Sequence, residues 1–270
     1  MRRAVVVAAV LAVLGAPGLG ARWLGAPGLG AQAPFITDDA AVTRRGGWHL
    51  EVYEQFAALR DADLPALRQH TLVFSAMRGV VGGLELGMDI PLLHIENGGL
   101  PNAFGLGDLN LVAKFRLRDL SDSGWMPAIY GSVQVELPTG DASNQLGTGE
   151  TDAVVTLIAE RTLDSGLILR GNLGAVLLGN SLTGVVGLSR SGLIVVTSGA
   201  LGYRVHPRLL LLAELSYAQA RFNDDRDKEF RAQIGGWWSV SDRSQLGVAY
   251  QAGRYATPAH QLQLGWSVDY

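Results

Sequence analysis

Apolar and polar residues alternate one by one along most of the chain beyond residue 47, a pattern that predicts β-strands with one apolar and one polar face. In the clearest run, 108–118, Leu, Ala and Phe side chains share one face. Asp, Asn, Lys and Arg side chains share the other, where Val112 is the apolar exception. The run 261–270 alternates in the same way and ends on Tyr270. A soluble β-sandwich also has strands with one buried face, so the number and length of the strands must decide the class.

Twelve such runs predict about 12 strands, most of them roughly ten residues or longer, the length that a tilted strand needs to cross a bilayer. They begin near Gly47, Arg68, Gly83, Gly105, Pro127, Glu150, Gly166, Gly192, Arg208, Lys228, Ser244 and Ala259. Short connections alternate with longer ones, such as 139–149 and 179–191. An open sheet edge is too costly in hydrocarbon, so we expect an all-β fold, a closed antiparallel transmembrane β-barrel over residues 47–270. A soluble periplasmic sandwich is the more distant alternative.

The first 33 residues have the features of an export signal followed by a small-residue linker. Arg2 and Arg3 precede an apolar run at 4–15, which is too short to span a bilayer as a helix. Cleavage is compatible with several small residues between 21 and 33, and a retained membrane anchor is the alternative. We expect 34–46 to form a periplasmic N-terminal segment, and the barrel to lie in the bacterial outer membrane.

Charge and composition narrow the classes of function. The formal net charge is −3 and no basic stripe is present, so we expect no nucleic-acid partner. Cysteine is absent, so an exported chain must hold its fold by hydrogen bonding and packing alone. Trp48, Trp125, Trp237, Trp238 and Trp266 are candidates for the aromatic girdles that mark the two membrane surfaces.

Four blocks of the sequence resemble an outer-membrane transporter family that is named for the meta-pathway of phenol degradation. They are PFITDDAAVTRRGGWHLEVY at 34–53, GLGDLNLVAKFRL at 105–117, VELPTGD at 135–141 and LGTGETDAVV at 146–155. The blocks occur in the family's order and the resemblance covers most of the exported chain. It implies an outer-membrane barrel that passes small apolar or aromatic compounds.

The predicted strand registers place ten acidic and five basic side chains inside the barrel, a formal excess of five negative charges. The acidic side chains are Glu51, Glu85, Asp89, Asp108, Glu136, Asp152, Glu160, Glu214, Glu229 and Asp269. The basic ones are Lys114, Arg116, Arg118, Arg170 and Arg231. One sign of charge between low-dielectric walls attracts counter-ions, so these lumen-lining residues predict a weak preference for cations.

No catalytic, cofactor-binding or metal site is predicted. The five histidines lack metal-ligand spacing, and Asp38-Asp39 has no histidine beside it, so a turn or periplasmic cap is the expected role of that acidic pair. His94-Ile95-Glu96-Asn97-Gly98 lacks the serine of an outer-membrane phospholipase. We therefore expect a narrow passive channel and no enzyme, with a structural or binding barrel of closed lumen as the alternative. The expected partners are outer-membrane lipid, a small-molecule solute and, through the C-terminal strand, the barrel-assembly machinery.

Overall fold

The computed structural model describes residues 33–59, 66–119, 125–179, 192–221, 228–255 and 257–270. The strands are β1 (Trp48–Ala58), β2 (Ala66–Val81), β3 (Leu84–Asn97), β4 (Ala103–Leu106), β5 (Leu109–Arg118), β6 (Ala128–Leu137), β7 (Asp152–Thr162), β8 (Leu167–Leu177), β9 (Leu193–His206), β10 (Leu209–Ala218), β11 (Glu229–Ser241), β12 (Ser244–Tyr255) and β13 (His260–Asp269). Each strand except β5 begins within two residues of a predicted start. β4 corresponds to the predicted strand that starts near Gly105, and β5 is the continuation of that same predicted strand. In the described part of the chain, no helix is long and apolar enough to cross a membrane.

The sheet closes on itself. Every strand pairs antiparallel with its neighbour in the chain except at one place, and β1 pairs with both β2 and β13. The exception is β3, which pairs with β4 along its later half and with β5 along its earlier half. β4 and β5 are therefore two halves of one strand, and the thirteen segments form a closed barrel of twelve. This architecture confirms the fold that the alternation predicted.

The interruption between β4 and β5 lies opposite Pro91. The β3–β5 ladder ends at Asp89 and the β3–β4 ladder starts at Leu92, so the missing N–H of the proline falls in the gap. The carbonyl of Pro91 still accepts a hydrogen bond from Gly107 N at 2.9 Å. A proline is tolerated in the middle of this sheet because its ladder is already broken there.

The outer face of the barrel is apolar and carries aromatic side chains near both ends. Trp48, Trp238, Trp266 and Tyr203 are exposed near the end with the short turns, whereas Tyr217, Phe230 and Tyr255 are exposed near the end with the longer connections. Trp237 departs from the prediction, because it faces the lumen and is only 4% exposed. Consecutive residues of a strand point to opposite faces, so only one of the two adjacent tryptophans can face the membrane.

Candidate functional site in the barrel lumen

The segment before β1, residues 33–47, lies inside the barrel and follows its inner wall. We call it the N-terminal segment. Its partners succeed one another around the sheet: Thr43 contacts β3, Ala40 and Val42 pack against β6 and β7, Ile36 and Thr37 contact β10, and Pro34 contacts β11. The segment therefore lies along the lumen wall and narrows the lumen.

Its first residues are held by apolar packing and by three polar wall residues. Phe35 is 3% exposed and stacks on Trp237, with 4.6 Å between the ring centroids and a tilt of 48°. Trp237 Nε1 donates to the Ala33 carbonyl at 2.9 Å, and the Gln233 amide donates to the Pro34 carbonyl. The two oxygens of Glu214 accept from Ile36 N at 3.0 Å and from Thr37 N at 2.8 Å. A buried carboxylate is thus satisfied by two backbone donors.

The next residues, Asp38 and Asp39, are held by charge. Lys114 Nζ lies 2.7 Å from Asp38 Oδ1 and 3.2 Å from Asp39 Oδ1, and the lysine side chain is 4% exposed. Arg170 lies 3.7 Å from Asp39 and 2.7 Å from Glu160. These residues form a largely buried network in which each charge has a partner of opposite sign. The acidic pair, expected to cap a turn, ties the N-terminal segment to both β5 and β8.

A second inward element is the connection between β6 and β7, residues 138–151, which we call the β6–β7 loop. It contains a 3₁₀ turn at Ala142–Asn144, where Ser143 N donates to the Asp141 side chain at 3.0 Å. Hydrogen bonds from the side chains of Ser143 and Asn144 lower the pKa of Asp141. Leu146 is buried against Ala66, Leu93 and Ile95. The loop therefore folds over the lumen wall at the end with the longer connections.

Asp108 anchors this loop from the break between β4 and β5. One carboxylate oxygen accepts from Gly140 N at 2.9 Å and the other accepts from Thr148 N. Thr139 bridges the same place, because its hydroxyl donates to the Gly107 carbonyl at 3.1 Å and accepts from Leu109 N at 2.9 Å. A Cβ at Gly147 would overlap the Asp108 carboxylate, so a larger residue at that position would displace the anchor. This set of hydrogen bonds joins three of the four sequence blocks that resemble the family, at 105–117, 135–141 and 146–155.

A polar cavity of about 530 Å³ remains beside the N-terminal segment, toward the end with the short turns. Its lining includes seven acidic side chains, Asp38, Asp39, Glu51, Glu85, Asp89, Asp242 and Asp269. It also includes Arg44, Lys114, Arg243 and His49. The cavity wall therefore carries more acidic than basic groups. Among the described residues, no three metal-ligating side chains converge.

Most of the predicted lumen residues lie on the inner face, and several are already paired. Glu51, Glu85, Asp89, Asp108, Lys114, Glu136, Asp152, Glu214 and Glu229 are buried there. Glu85 accepts from Thr43 N at 2.6 Å, Asp152 accepts from Gly179 N at 2.9 Å, and Glu136 contacts the Thr148 hydroxyl. Arg231 pairs with Glu229, as Arg170 does with Glu160. The wall charges thus hold the two inward elements as well as lining the lumen.

Arg118 lies on the opposite face from the one that simple alternation gives it, and Arg116 lies at the end of the regular run. The register shifts between these residues, so Arg118 stands opposite Ile129, on the outer face, and is exposed. Arg116 is 38% exposed at the rim, where it pairs with Asp119 at 3.0 Å. The assignment of Arg118 to the lumen is contradicted, because one extra residue in a strand reverses every side chain beyond it.

Phe35 and Trp237 line the lumen although neither was predicted to do so. A signal existed for the tryptophan, since Trp237 and Trp238 are adjacent in a strand and alternate between faces. Phe35 gave no comparable signal, because it lies outside every strand and its pocket is assembled by residues from β8 to β12.

A closed twelve-stranded barrel with an apolar, aromatic-rimmed exterior and a charged interior defines a β-barrel protein of the bacterial outer membrane. The sequence profile of the family described as "Putative MetA-pathway of phenol degradation" matches residues 39–264, and the chain belongs to this family. No curated protein matches the chain significantly.

Solved structures with the same fold include outer-membrane channels and porins. An outer membrane channel from Pseudomonas putida superposes with a TM-score of 0.69 at 16% identity, covering 86% of this chain and 98% of its own. The KdgM porin, solved in complex with disordered oligogalacturonate, has a TM-score of 0.53 at 8% identity, with 82% and 98% covered. The NanC porin has a TM-score of 0.52 at 9% identity, with the same coverage. At these identities the likeness concerns the fold.

Proposed function

We propose that the protein is a narrow passive channel for small solutes, including apolar or aromatic compounds, with a weak preference for cations. The observation that carries the proposal is a closed barrel whose lumen is narrowed by two inward elements and keeps an acid-rich cavity of about 530 Å³. An excess of carboxylates in a low-dielectric passage concentrates cations. The family description and the porin-like fold support transport, and the proposal assigns no enzymatic activity.

Planar-bilayer recording of the purified protein tests this function. We expect small single-channel conductance and a reversal potential, in a salt gradient, that favours cations modestly. A reversal potential that shows anion selectivity would contradict the predicted excess of acidic groups in the lumen. A silent bilayer would instead favour the structural or binding barrel with a closed lumen.

We also propose that β13 is the strand that the barrel-assembly machinery recognises. β13 alternates in outward and inward side chains, pairs with β1 to close the barrel, and is followed by the exposed aromatic Tyr270. Deletion of 262–270 should abolish insertion, but it also opens the seam. Tyr270→Ser separates the two effects, because Tyr270 bonds to Trp48 through backbone atoms and only the aromatic group is lost. We expect slower membrane assembly of Tyr270→Ser; an unchanged assembly rate would refute recognition through this residue.

Processing of the leader is the remaining part of the proposal. We infer that the leader is cut before Ala33, because Ala33 is buried in the lumen and its carbonyl is bonded to Trp237. Cleavage after Ala33 would remove that contact. N-terminal sequencing of the membrane form distinguishes cleavage after Ala33 from cleavage at an earlier small residue.

A further inference from the structure

The side chain of Phe35 occupies an apolar pocket in the lumen wall. We call it the Phe35 pocket. It is formed by Trp237 on one side and by aliphatic side chains on the others, namely Ile168, Ala200, Leu210, Leu212 and Ala249. The neighbouring inner positions on β11–β13 include the buried polar side chains of Gln233, Gln251 and Gln263, so the pocket is an apolar site beside a polar part of the wall. An aromatic ring fits because the Trp237 face supplies the tilted ring contact that such pairs prefer.

Hydrogen-bonding groups surround the pocket, and backbone atoms of the N-terminal segment satisfy them. Trp237 Nε1 and the Gln233 amide are donors, and the Glu214 carboxylate is an acceptor. A planar solute with a hydroxyl group could replace both the phenyl ring and part of this polar contact. The segment therefore offers the wall an aromatic ring beside hydrogen-bonding groups, the same combination that a small aromatic alcohol would offer.

The N-terminal segment is bound to the wall mainly by side-chain contacts, so its removal does not require a strand to be torn from the sheet. Among its described residues, the isolated bridge between Arg45 and Gly79 is where it joins the sheet, close to the start of β1. Toward Ala33 it is held by the Phe35 pocket, by Glu214 and by Lys114. Because it stays tethered at β1, the segment would compete with a free solute as a ligand at high effective concentration, so a solute displaces it only where its own affinity and concentration outweigh that advantage.

We propose that the Phe35 pocket is a binding site for small aromatic solutes that carry a hydrogen-bonding group, and that Phe35 is an internal occupant which such a solute displaces. The inference rests on the proposed channel function and names the solute class of its lumen. Entry of the solute would release the first residues of the N-terminal segment from the wall. The same event therefore binds the solute and widens the passage.

The absence of cysteine from the chain allows a direct test. Thr37→Cys places one thiol at a position that is 1% exposed, while the backbone N–H that bonds Glu214 is kept. In the folded full-length protein, phenol should accelerate modification by a thiol reagent about tenfold, because it raises the population of the released segment. Cyclohexanol, which has the same ring size and hydroxyl but no aromatic face, should have little effect. An unchanged rate with phenol, or an equal response to both, overturns the proposal.

A second variant tests the same proposal without the Thr37→Cys substitution, in case that substitution impairs folding. Phe35→Ala empties the pocket of its internal occupant, so phenol binding measured by calorimetry should tighten about tenfold when the competitor is lost. Phe230→Ala is the matched control, since Phe230 lies on β11 beside the same wall but faces outward. Equal affinities in Phe35→Ala and wild type contradict internal competition. Trp237→Leu should abolish the phenol response of Thr37→Cys.

Bilayer recording of the wild-type protein separates this inference from the channel function. A conducting barrel whose Thr37→Cys thiol ignores phenol overturns the aromatic site alone. A silent barrel whose thiol responds to phenol and not to cyclohexanol supports the site and overturns the passive channel.

Discussion

Two elements fold into this barrel, and they are held in opposite ways. The β6–β7 loop is fixed at both ends by strands, and its anchor is one carboxylate, Asp108, that accepts from two backbone amides. The N-terminal segment is continuous with a strand at one end only, and its contacts are spread over most of the wall from β3 to β11. A doubly tethered loop can move little when one contact is lost. A singly tethered segment can leave the wall, so its position depends on the sum of its contacts.

The largest expected effect is at Lys114. Lys114→Met leaves Asp38 and Asp39 buried without their shared cation, and breaking a buried ion pair from one side costs about 3–5 kcal/mol. We expect the N-terminal segment to detach, which limits the loss in the rest of the barrel. Urea unfolding in micelles and single-channel conductance measure the two consequences: a lower midpoint and a larger conductance. Restoring neutrality with Asp38→Asn and Asp39→Asn in the same chain should recover part of the midpoint, and no recovery would rule out the charge explanation.

The second effect concerns Asp108. Asp108→Asn keeps the size of the side chain, but its single amide oxygen can accept from only one of the two backbone amides and carries no charge, a loss of about 1.5–3 kcal/mol. Because the loop is tethered at both ends, we expect local loosening, seen as faster proteolysis within 138–151, while conductance changes less than in Lys114→Met. Asp164→Asn, in the exposed turn between β7 and β8, is the control, because it removes a carboxylate without touching the β6–β7 loop. If Asp108→Asn opened the channel more than Lys114→Met, the contrast between the two elements would be wrong.

The smallest effect is expected from a pair of glycines. A Cβ at Gly247 would lie 2.6 Å from Pro34 Cδ, whereas a Cβ at Gly171 would meet nothing within 4 Å. Gly247→Ala should therefore weaken the docking of the N-terminal segment by about 1 kcal/mol through overpacking. Gly171→Ala should change the free energy of unfolding by less than about 0.5 kcal/mol. Equal shifts for both variants would show that the segment does not press on the wall at Pro34.

Most strands of the barrel could be predicted from the sequence, whereas the segment and the loop that lie inside the lumen could not. Alternation is a local property, so each strand could be located from its own residues, and the regular run at 108–116 was assigned to the correct faces. The error at Arg118 came from one extra residue, Leu117, which alternation cannot anticipate. The N-terminal segment was out of reach for another reason. It has no periodicity, and its partners lie up to about two hundred residues away, as between Ala33 and Trp237 with a separation of 204.

That separation also has a consequence for the order of events during assembly. Contacts between the two extremes of a chain form late, because most of the intervening chain must be in place first. β1 follows the N-terminal segment directly and pairs with β13, the final strand, to close the ring. The first part of the chain to be exported is therefore among the last to reach its native position. We therefore expect the N-terminal segment to dock only as the seam closes, so that the finished protein differs from its unclosed precursor chiefly in the filling of the lumen.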